Sequence, residues 1–258
     1  MNFDRREKIR DMLRNKPFVS LHELEEMFPD VSSMTLRRDI DYFEKQSEAI
    51  KVRGGARSMK FITSCMEGKF SLRMNEHPQE KQKIADVAIK MIETERSVFL
   101  DSGTTIFQLA SMMPDERLVI TTTGPNIALE LIKKKLPIVN LVGGMLNRDS
   151  ISVSGNVAVK YLSDINIDVA FIVPSGVSSD NGFTCGNYSE CEFKRLVIEK
   201  ARRTVILTDN SKLDKTLPYT FADFSLIDTI ITDRVVPQEI ADEARKSGTK
   251  IIVADLGV

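Results

Sequence analysis

Asp101-Ser102-Gly103-Thr104-Thr105 places a carboxylate, three hydroxyls and a glycine in five consecutive positions. The stretch follows the β-rich Ser97 to Leu100 and precedes the helical Ile106 to Ala110, so it reads as a loop joining a strand's end to a helix's start. Free backbone N–H groups, hydroxyls and a positive helix end in such a loop suit a phosphate. Three more polar clusters, Gly143 to Arg148, Pro174 to Val177 and Asp209 to Lys212, also fall just past expected strand ends, where open parallel sheets hold ligands. A helix opening near Tyr188 adds Glu190, Glu192 and Lys194, and either Lys194 or Lys212 could neutralise a phosphate. The second candidate lies near the N-terminus. Between Ser32 and Gln46, Leu36, Ile40 and Phe43 recur at i, i+4 and i+7 and form a packed face. Ser33, Thr35, Arg37 and Arg38 are left to project, and residues of this kind near a helix N-terminus reach base edges and phosphates of DNA. Arginine suits both, forking onto guanine O6 and N7 or clamping a phosphate.

An isolated Arg-Arg pair on a helix more often pairs with neighbouring acids, here Asp39, Asp41 or Glu44. The elements around it change that balance. Ile9, Met12 and Leu13 predict a first helix over Arg5 to Lys16, closed by Pro17. Ser20 is the expected N-cap of a second helix whose face is Leu21, Leu24 and Phe28, broken by Pro29 and Asp30. Ser32 caps the third. Ile50 and Val52 then alternate with Lys51 and Arg53 before a glycine pair, the pattern of a short hairpin to which Arg57 adds charge. Three short helices and a wing make a winged helix-turn-helix, expected over residues 1–58, with Ser33, Thr35, Arg37, Arg38, Lys51, Arg53 and Arg57 as its DNA-contacting residues.

Residues 59–78 show no sustained period and are expected to form a linker. From residue 79 to 258 the pattern changes. Seven β-rich runs, Ser97 to Asp101, Leu118 to Thr123, Ile138 to Gly143, Val169 to Val173, Thr204 to Asp209, Thr229 to Asp233 and Ile251 to Asp255, alternate with mostly helical segments. Such runs predict strands of a parallel α/β sheet, buried on both faces. The fold class is thus α/β, an N-terminal winged helix-turn-helix joined to a C-terminal parallel α/β domain.

The 258 residues carry a formal net charge of −1, and residues 1–58 hold 12 Lys and Arg against 11 Asp and Glu, so nucleic-acid binding must come from placement rather than bulk charge. Cys65, Cys185 and Cys191 show no C-x-x-C spacing, which argues against a disulfide framework or a zinc ribbon and for a reducing cytoplasm. No apolar run reaches the ~20 residues of a membrane helix, and the first ten residues hold no apolar signal core. Walker A, G-x-G-x-x-G and G-x-S-x-G patterns, metal-ligand spacings and local Cys-His signatures are all missing from the sequence. No catalytic residue, metal or cofactor is therefore assigned.

The runs R-R-E-K-I-R-D-M-L, V-S-L-H-E-L-E-E-M-F, V-S-S-M-T-L-R-R-D-I-D-Y-F-E-K and K-V-R-G-G-A closely resemble the helix-turn-helix of DeoR-type bacterial transcriptional regulators. In that family the recognition helix maps onto Thr35, Leu36, Arg37, Arg38 and Asp39. The chain departs from the pattern at Phe28-Pro29-Asp30-Val31-Ser32, where the turn carries one extra residue, and in the wing at Ser47 and Arg53. D-S-G-T-T, G-G-x-L, S-G-V with N-G-F-T, E-C-E-F-K-R and T-D-N-S-K likewise resemble the family's effector domain, which is related to ribose phosphate isomerase and CoA transferases. The resemblance implies a phosphorylated sugar or similar metabolite at Asp101, Ser102, Gly103, Thr104, Thr105, Gly143, Gly144, Ser175, Gly176, Glu190, Glu192, Lys194 and Lys212. It also implies repression of a carbohydrate-metabolism operon.

The competing class is a sugar phosphate isomerase-like enzyme with an N-terminal appendage. Asp101, Glu190, Glu192 and Lys194 could nominally supply its acid and base, but neither His22 nor His77 is expected at this sheet edge. A single winged domain covers one half-site of double-stranded operator DNA, so a homo-oligomer, dimer or tetramer, is expected.

Overall fold

Helix α1 (Asn2–Asn15) buries Ile9 and Leu13, and the short strand β1 (Phe18–Ser20) follows. Ser20 caps α2 (Leu21–Met27) through a capping box. Its hydroxyl accepts the Glu23 N–H while the Glu23 carboxylate accepts the Ser20 N–H, and that second bond, with those from Lys16 and the Ser20 hydroxyl, pulls the Glu23 pKa down to about 2. The extra residue in the turn is absorbed by a hydrogen bond from the Val31 N–H to the Phe28 carbonyl. Ser32 then caps α3 (Ser33–Lys45), which buries Leu36, Ile40 and Phe43 as the spacing predicts. Each of these side chains contributes roughly 1.5–3 kcal/mol on full burial. The wing is the antiparallel pair β2 (Ala49–Val52) and β3 (Gly55–Ser58), to which β1 adds a third strand. Gly55 is obligatory there, because a Cβ would stand 2.2 Å from the Val19 carbonyl oxygen of β1.

This computed structural model describes residues 2–16, 18–46, 48–59, 69–94 and 96–256. The chain divides into two units, Met1–Met66 and Glu67–Val258. Residues 60–68 of the expected linker, Cys65 among them, lie outside the described residues, as do Pro17 and Ser47. The remainder of that segment is ordered: α4 (Phe70–Met74) and α5 (Pro78–Ala88) belong to the second unit. Phe70 is fixed by a bond from its N–H to the Asp149 carbonyl and by an edge-on contact with Phe107.

All seven β-rich runs become one parallel sheet: β4 (Ser97–Leu100), β5 (Val119–Thr122), β6 (Ile138–Leu141), β9 (Val169–Ile172), β12 (Thr204–Thr208), β14 (Thr229–Thr232) and β15 (Lys250–Val253), in the order β15-β14-β12-β9-β4-β5-β6. The inner strands are buried on both faces, whereas the outer strands β6 and β15 are partly exposed. Strand order reverses between β4 and β9, which opens the crevice that ligands use in such sheets. Helix α6 (Thr104–Met112) follows β4, α7 (Pro125–Leu131) follows β5, and α9 (Tyr188–Lys200) precedes β12, while α8 (Asn156–Leu162) and α10 (Gln238–Ser247) complete the described helices. Two apolar clusters, one including Phe99, Ile172 and Ile206 and the other Leu100, Phe171 and Leu207, take side chains that alternate along the same strands.

Short antiparallel pieces not expected from sequence lie beside this sheet: the hairpin β7 (Met145–Asn147) and β8 (Ser152–Ser154), and a three-stranded sheet of β10 (Gly176–Ser178), β11 (Gly182–Cys185) and β13 (Tyr219–Ala222).

Candidate functional site

On α3 the carboxylates expected to compete for the arginines are engaged elsewhere. Asp39 is 1 % exposed and faces α1, where its two oxygens accept Arg5 Nε at 2.6 Å and Arg6 Nε at 2.8 Å. Asp41 pairs with Lys51, and Glu44 accepts the Lys51 N–H at 3.0 Å. Arg37 and Arg38 are exposed and make no ion pair or hydrogen bond among the described residues. Arg53 and Arg57 of the wing are likewise exposed and uncommitted. Other members of the set are held locally: Ser33 donates to Glu25 at 2.6 Å, Thr35 shares a hydrogen bond with Ser32 at 3.0 Å, and Lys51 is tied to Asp41. What the first unit presents is four free guanidinium groups on α3 and the wing, the equipment of a surface that grips phosphates and reads base edges.

In the second unit the carboxyl ends of β4, β9 and β12 surround a small cavity open to solvent. Gly103, Thr104 and Thr105 line it from the loop after β4, Val173 and Pro174 from β9, and Asp209, Ser211 and Lys212 from β12. Gly103 adopts φ +129°, open to glycine, and starts α6 without a side-chain cap. The first N–H groups of that helix have no intrahelical acceptor. Thr104 and Thr105 are 5 % and 6 % exposed, and their hydroxyls have no hydrogen-bond partner among the described residues.

Beneath this opening sits a buried ionic cluster. Lys194 Nζ lies 3.0 Å from Asp101 Oδ2 and 2.9 Å from Glu190 Oε1, and donates to the Val173 carbonyl at 2.6 Å. Asp101 also accepts the Ser102 and Val173 N–H groups at 2.8 and 3.0 Å, tying the loop after β4 to the end of β9. Burial pushes the Asp101 carboxyl above the usual carboxylate range against the opposing pull of Lys194. The Cys185 thiol nearby is pushed up to about 12, mainly by burial, which removes it from thiolate chemistry at neutral pH.

Of the residues singled out from sequence, Gly103, Thr104, Thr105 and Lys212 line the cavity, and Asp101, Ser102, Glu190 and Lys194 build the cluster against its floor. Glu192, exposed on α9, stands outside both, since it lies two residues from Glu190 and so on another face of the helix. Ser175 and Gly176 serve the antiparallel sheet: the Ser175 N–H donates to the Thr184 carbonyl, and a Cβ on Gly176 would meet the Lys215 carbonyl oxygen at 2.5 Å. Gly143 and Gly144 lead into β7 and do not line this cavity.

Sequence reasoning missed Arg73, Glu76, His77 and Lys81, which complete the lining. They fall where a linker was expected, and the expectation that His77 lies away from this edge is corrected: it is the N-cap of α5, in the left-handed region at φ 51°. The signal was present in Pro78 at a helix start followed by Ile84, Ala85 and Ala88 at helical spacing.

Comparison with known proteins agrees with both units. Residues 5–61 match the model of the DeoR-like helix-turn-helix domain, and residues 76–234 match that of the DeoR C-terminal sensor domain. Among curated relatives, the putative aga operon transcriptional repressor of Escherichia coli O157:H7 is 30% identical, over 97% of this chain and 93% of its own. The transcriptional repressor GlcR of Bacillus subtilis is 31% identical over 87% and 86%, and the glycerol-3-phosphate regulon repressor of Escherichia coli K12 is 27% identical over 89% and 90%. Ribose 5-phosphate isomerase A of Methanocaldococcus jannaschii superposes with a TM-score of 0.40 at 16% identity, over 54% of this chain and 55% of that one. A DNA-binding unit followed by a sensor unit defines a transcriptional regulator rather than the isomerase-like enzyme weighed above. The chain belongs to the DeoR family.

Proposed function

We propose that this chain binds operator DNA through α3 and the wing, and that a phosphorylated sugar or similar metabolite at the carboxyl edge of the seven-stranded sheet changes that binding. The observation that carries the reading is the pair Arg37 and Arg38, exposed and without partners while Asp39, Asp41 and Glu44 are committed elsewhere. In this reading Arg37, Arg38, Arg53 and Arg57 make the principal DNA contacts, with Ser33, Thr35 and Lys51 beside them. Asp101 to Thr105, Glu190, Lys194 and Lys212 hold the effector. The relatives named as repressors of the aga operon and the glycerol-3-phosphate regulon support repression of a carbohydrate operon as the mode of action. No described helix is long and apolar enough to cross a membrane, and a regulator of this kind works on DNA in the cytoplasm.

A homo-oligomer is part of the same reading, because one winged domain spans one half-site. The free edge strand β6 supports a second copy as its neighbour. Ile138 and Leu141 on β6, Leu129 on α7, and Met145 and Leu146 on β7 are exposed beside unpaired backbone groups. The test is a fluorescence-anisotropy titration on the DNA upstream of the chain's own gene cluster, at two salt concentrations, with and without a panel of sugar phosphates. Sequence-preferring, salt-dependent binding that one phosphate ester shifts is the expected outcome. Equal affinity for operator and unrelated DNA would refute the reading.

A further inference from the structure

The first turn of α3 holds one large apolar side chain that folding does not use. At 3.6 residues per turn, Leu36, Ile40 and Phe43 lie about 180–240° around the helix from Met34, so Met34 stands opposite the face that packs on the core. It is 63 % exposed, whereas those three are at most 3 % exposed, and it takes no part in the apolar cluster of the first unit. The hydroxyls on either side of it are engaged, Ser33 with Glu25 at 2.6 Å and Thr35 with Ser32 at 3.0 Å. Met34 is therefore the uncommitted side chain of the first turn, the part of a recognition helix that reaches base edges.

Arg37 and Arg38 stand three and four residues further on and share the face of Met34. A rise of 1.5 Å per residue sets them about 4.5–6 Å beyond it along the axis. With the helix lying along the groove, that is one to two steps of the ~3.4 Å between stacked bases. The three side chains differ in what they can recognise. A guanidinium forks onto guanine O6 and N7. A thioether donates no hydrogen bond and accepts only weakly, so covering the polar edge of guanine, cytosine or adenine with it cuts hydrogen-bonding groups off from water without replacing their partners. The major groove displays one apolar group, the C5-methyl of thymine. An unbranched side chain with three rotatable bonds and a polarizable sulfur can close on that methyl while the arginines keep their own positions.

Building on the operator binding proposed above, we infer that Met34 is a specificity-determining residue that packs on the C5-methyl group of one thymine in each half-site, one or two base pairs from the guanine taken by Arg37 or Arg38. The contact takes the exposed side chain and the methyl group out of water together, and it disfavours the other bases by leaving their polar edges unpaired. It gives the polar reading face of α3 an apolar element that charge and hydroxyl groups cannot supply.

The test is fluorescence anisotropy with the full chain on the duplex that wild type prefers upstream of its own gene cluster. Each thymine is replaced in turn by deoxyuridine in both half-sites, which removes the methyl group and leaves every hydrogen-bonding group in place. Wild type is expected to lose about fourfold in affinity per half-site at a thymine one or two base pairs from a required guanine, as for one buried methyl group. Met34→Ala should bind the native duplex more weakly and should no longer distinguish thymine from uracil at that position, whereas Met34→Leu should keep the distinction. Met34 is exposed, so both variants should unfold at the wild-type temperature. A uracil effect that persists undiminished in Met34→Ala assigns the methyl group to another side chain and overturns the inference. A wild type that prefers its operator yet is indifferent to uracil at every position also overturns it and leaves the proposed function standing. Equal affinity for operator and unrelated DNA refutes the proposed function, and this inference with it.

Discussion

Replacing Asp39 with alanine isolates the contact that sets α3 on α1. The Asp39 side chain is 2 % exposed, and its two oxygens face Arg5 at 2.6 Å and Arg6 at 2.8 Å. Removing one member of a buried ion pair costs about 3–5 kcal/mol, because the remaining charge keeps its desolvation penalty. Arg6 is one-third exposed and stacks over Tyr42 at 3.9 Å, so water and the ring compensate most of its share. Arg5, at 11 % exposure, is the more buried of the two partners, and the expected loss lies at the lower end of that range, ~3 kcal/mol. In a unit of this size each kcal/mol moves the midpoint by about 4–8 °C, so the transition of the first unit should fall by roughly 12–24 °C. Calorimetry of the full chain reads this, because the larger second unit provides an unshifted transition as an internal control. Asp39→Asn, which keeps the shape and one acceptor, should lose less. An Asp39→Ala midpoint within about 3 °C of wild type would show that the pair is no more than a surface ion pair and would refute the argument.

Arg38→Ala should weaken operator binding by about 1–3 kcal/mol if the side chain reads a base, with unchanged thermal unfolding; anisotropy on operator and scrambled duplexes distinguishes base reading from a uniform phosphate contact. Lys194→Met leaves Asp101 and Glu190 buried together and should destabilise the second unit by about 3–5 kcal/mol. In that variant burial and Glu190 both push the Asp101 carboxyl up, so its folded pKa exceeds the unfolded value. Its stability should therefore be greatest at low pH and fall as pH rises through the folded pKa, as urea titrations across a pH series would record. The double substitution Ile138→Lys with Leu141→Lys should convert the assembly to a smaller species in light scattering while leaving the far-ultraviolet dichroism intact; an unchanged mass would exclude the β6 edge as the contact between copies.

Local pattern made much of this molecule legible. The seven β-rich runs all joined one sheet, because strands buried on both faces are rich in consecutive β-branched and apolar residues, a pattern visible in sequence. Ser20 and Ser32 capped the helices expected of them, since capping depends on atoms three residues apart. The small antiparallel strands were not legible: three- and four-residue pieces carry too few residues to show a period, although Asp180-Asn181-Gly182 marks the turn between β10 and β11. Helix α4, within the stretch expected to be a linker, was not legible for a related reason, since it is five residues long and is held by Asp149 and Phe107, both far along the chain.

The sequence by itself determined the class of each unit, the packed face of α3 and the loop after β4, because these depend on periodicity and on neighbours within a turn or a strand. Only the tertiary structure decided which charges are free. Asp39 could pair with Arg37 or Arg38 on its own helix, but its side chain is on the buried face, where Arg5 and Arg6 reach it. Arg73 and Lys81 likewise look like solvated charges in the sequence. Folding brings them to a cavity whose other wall begins more than twenty residues later at Gly103, and charge that is spread out along the chain becomes concentrated there.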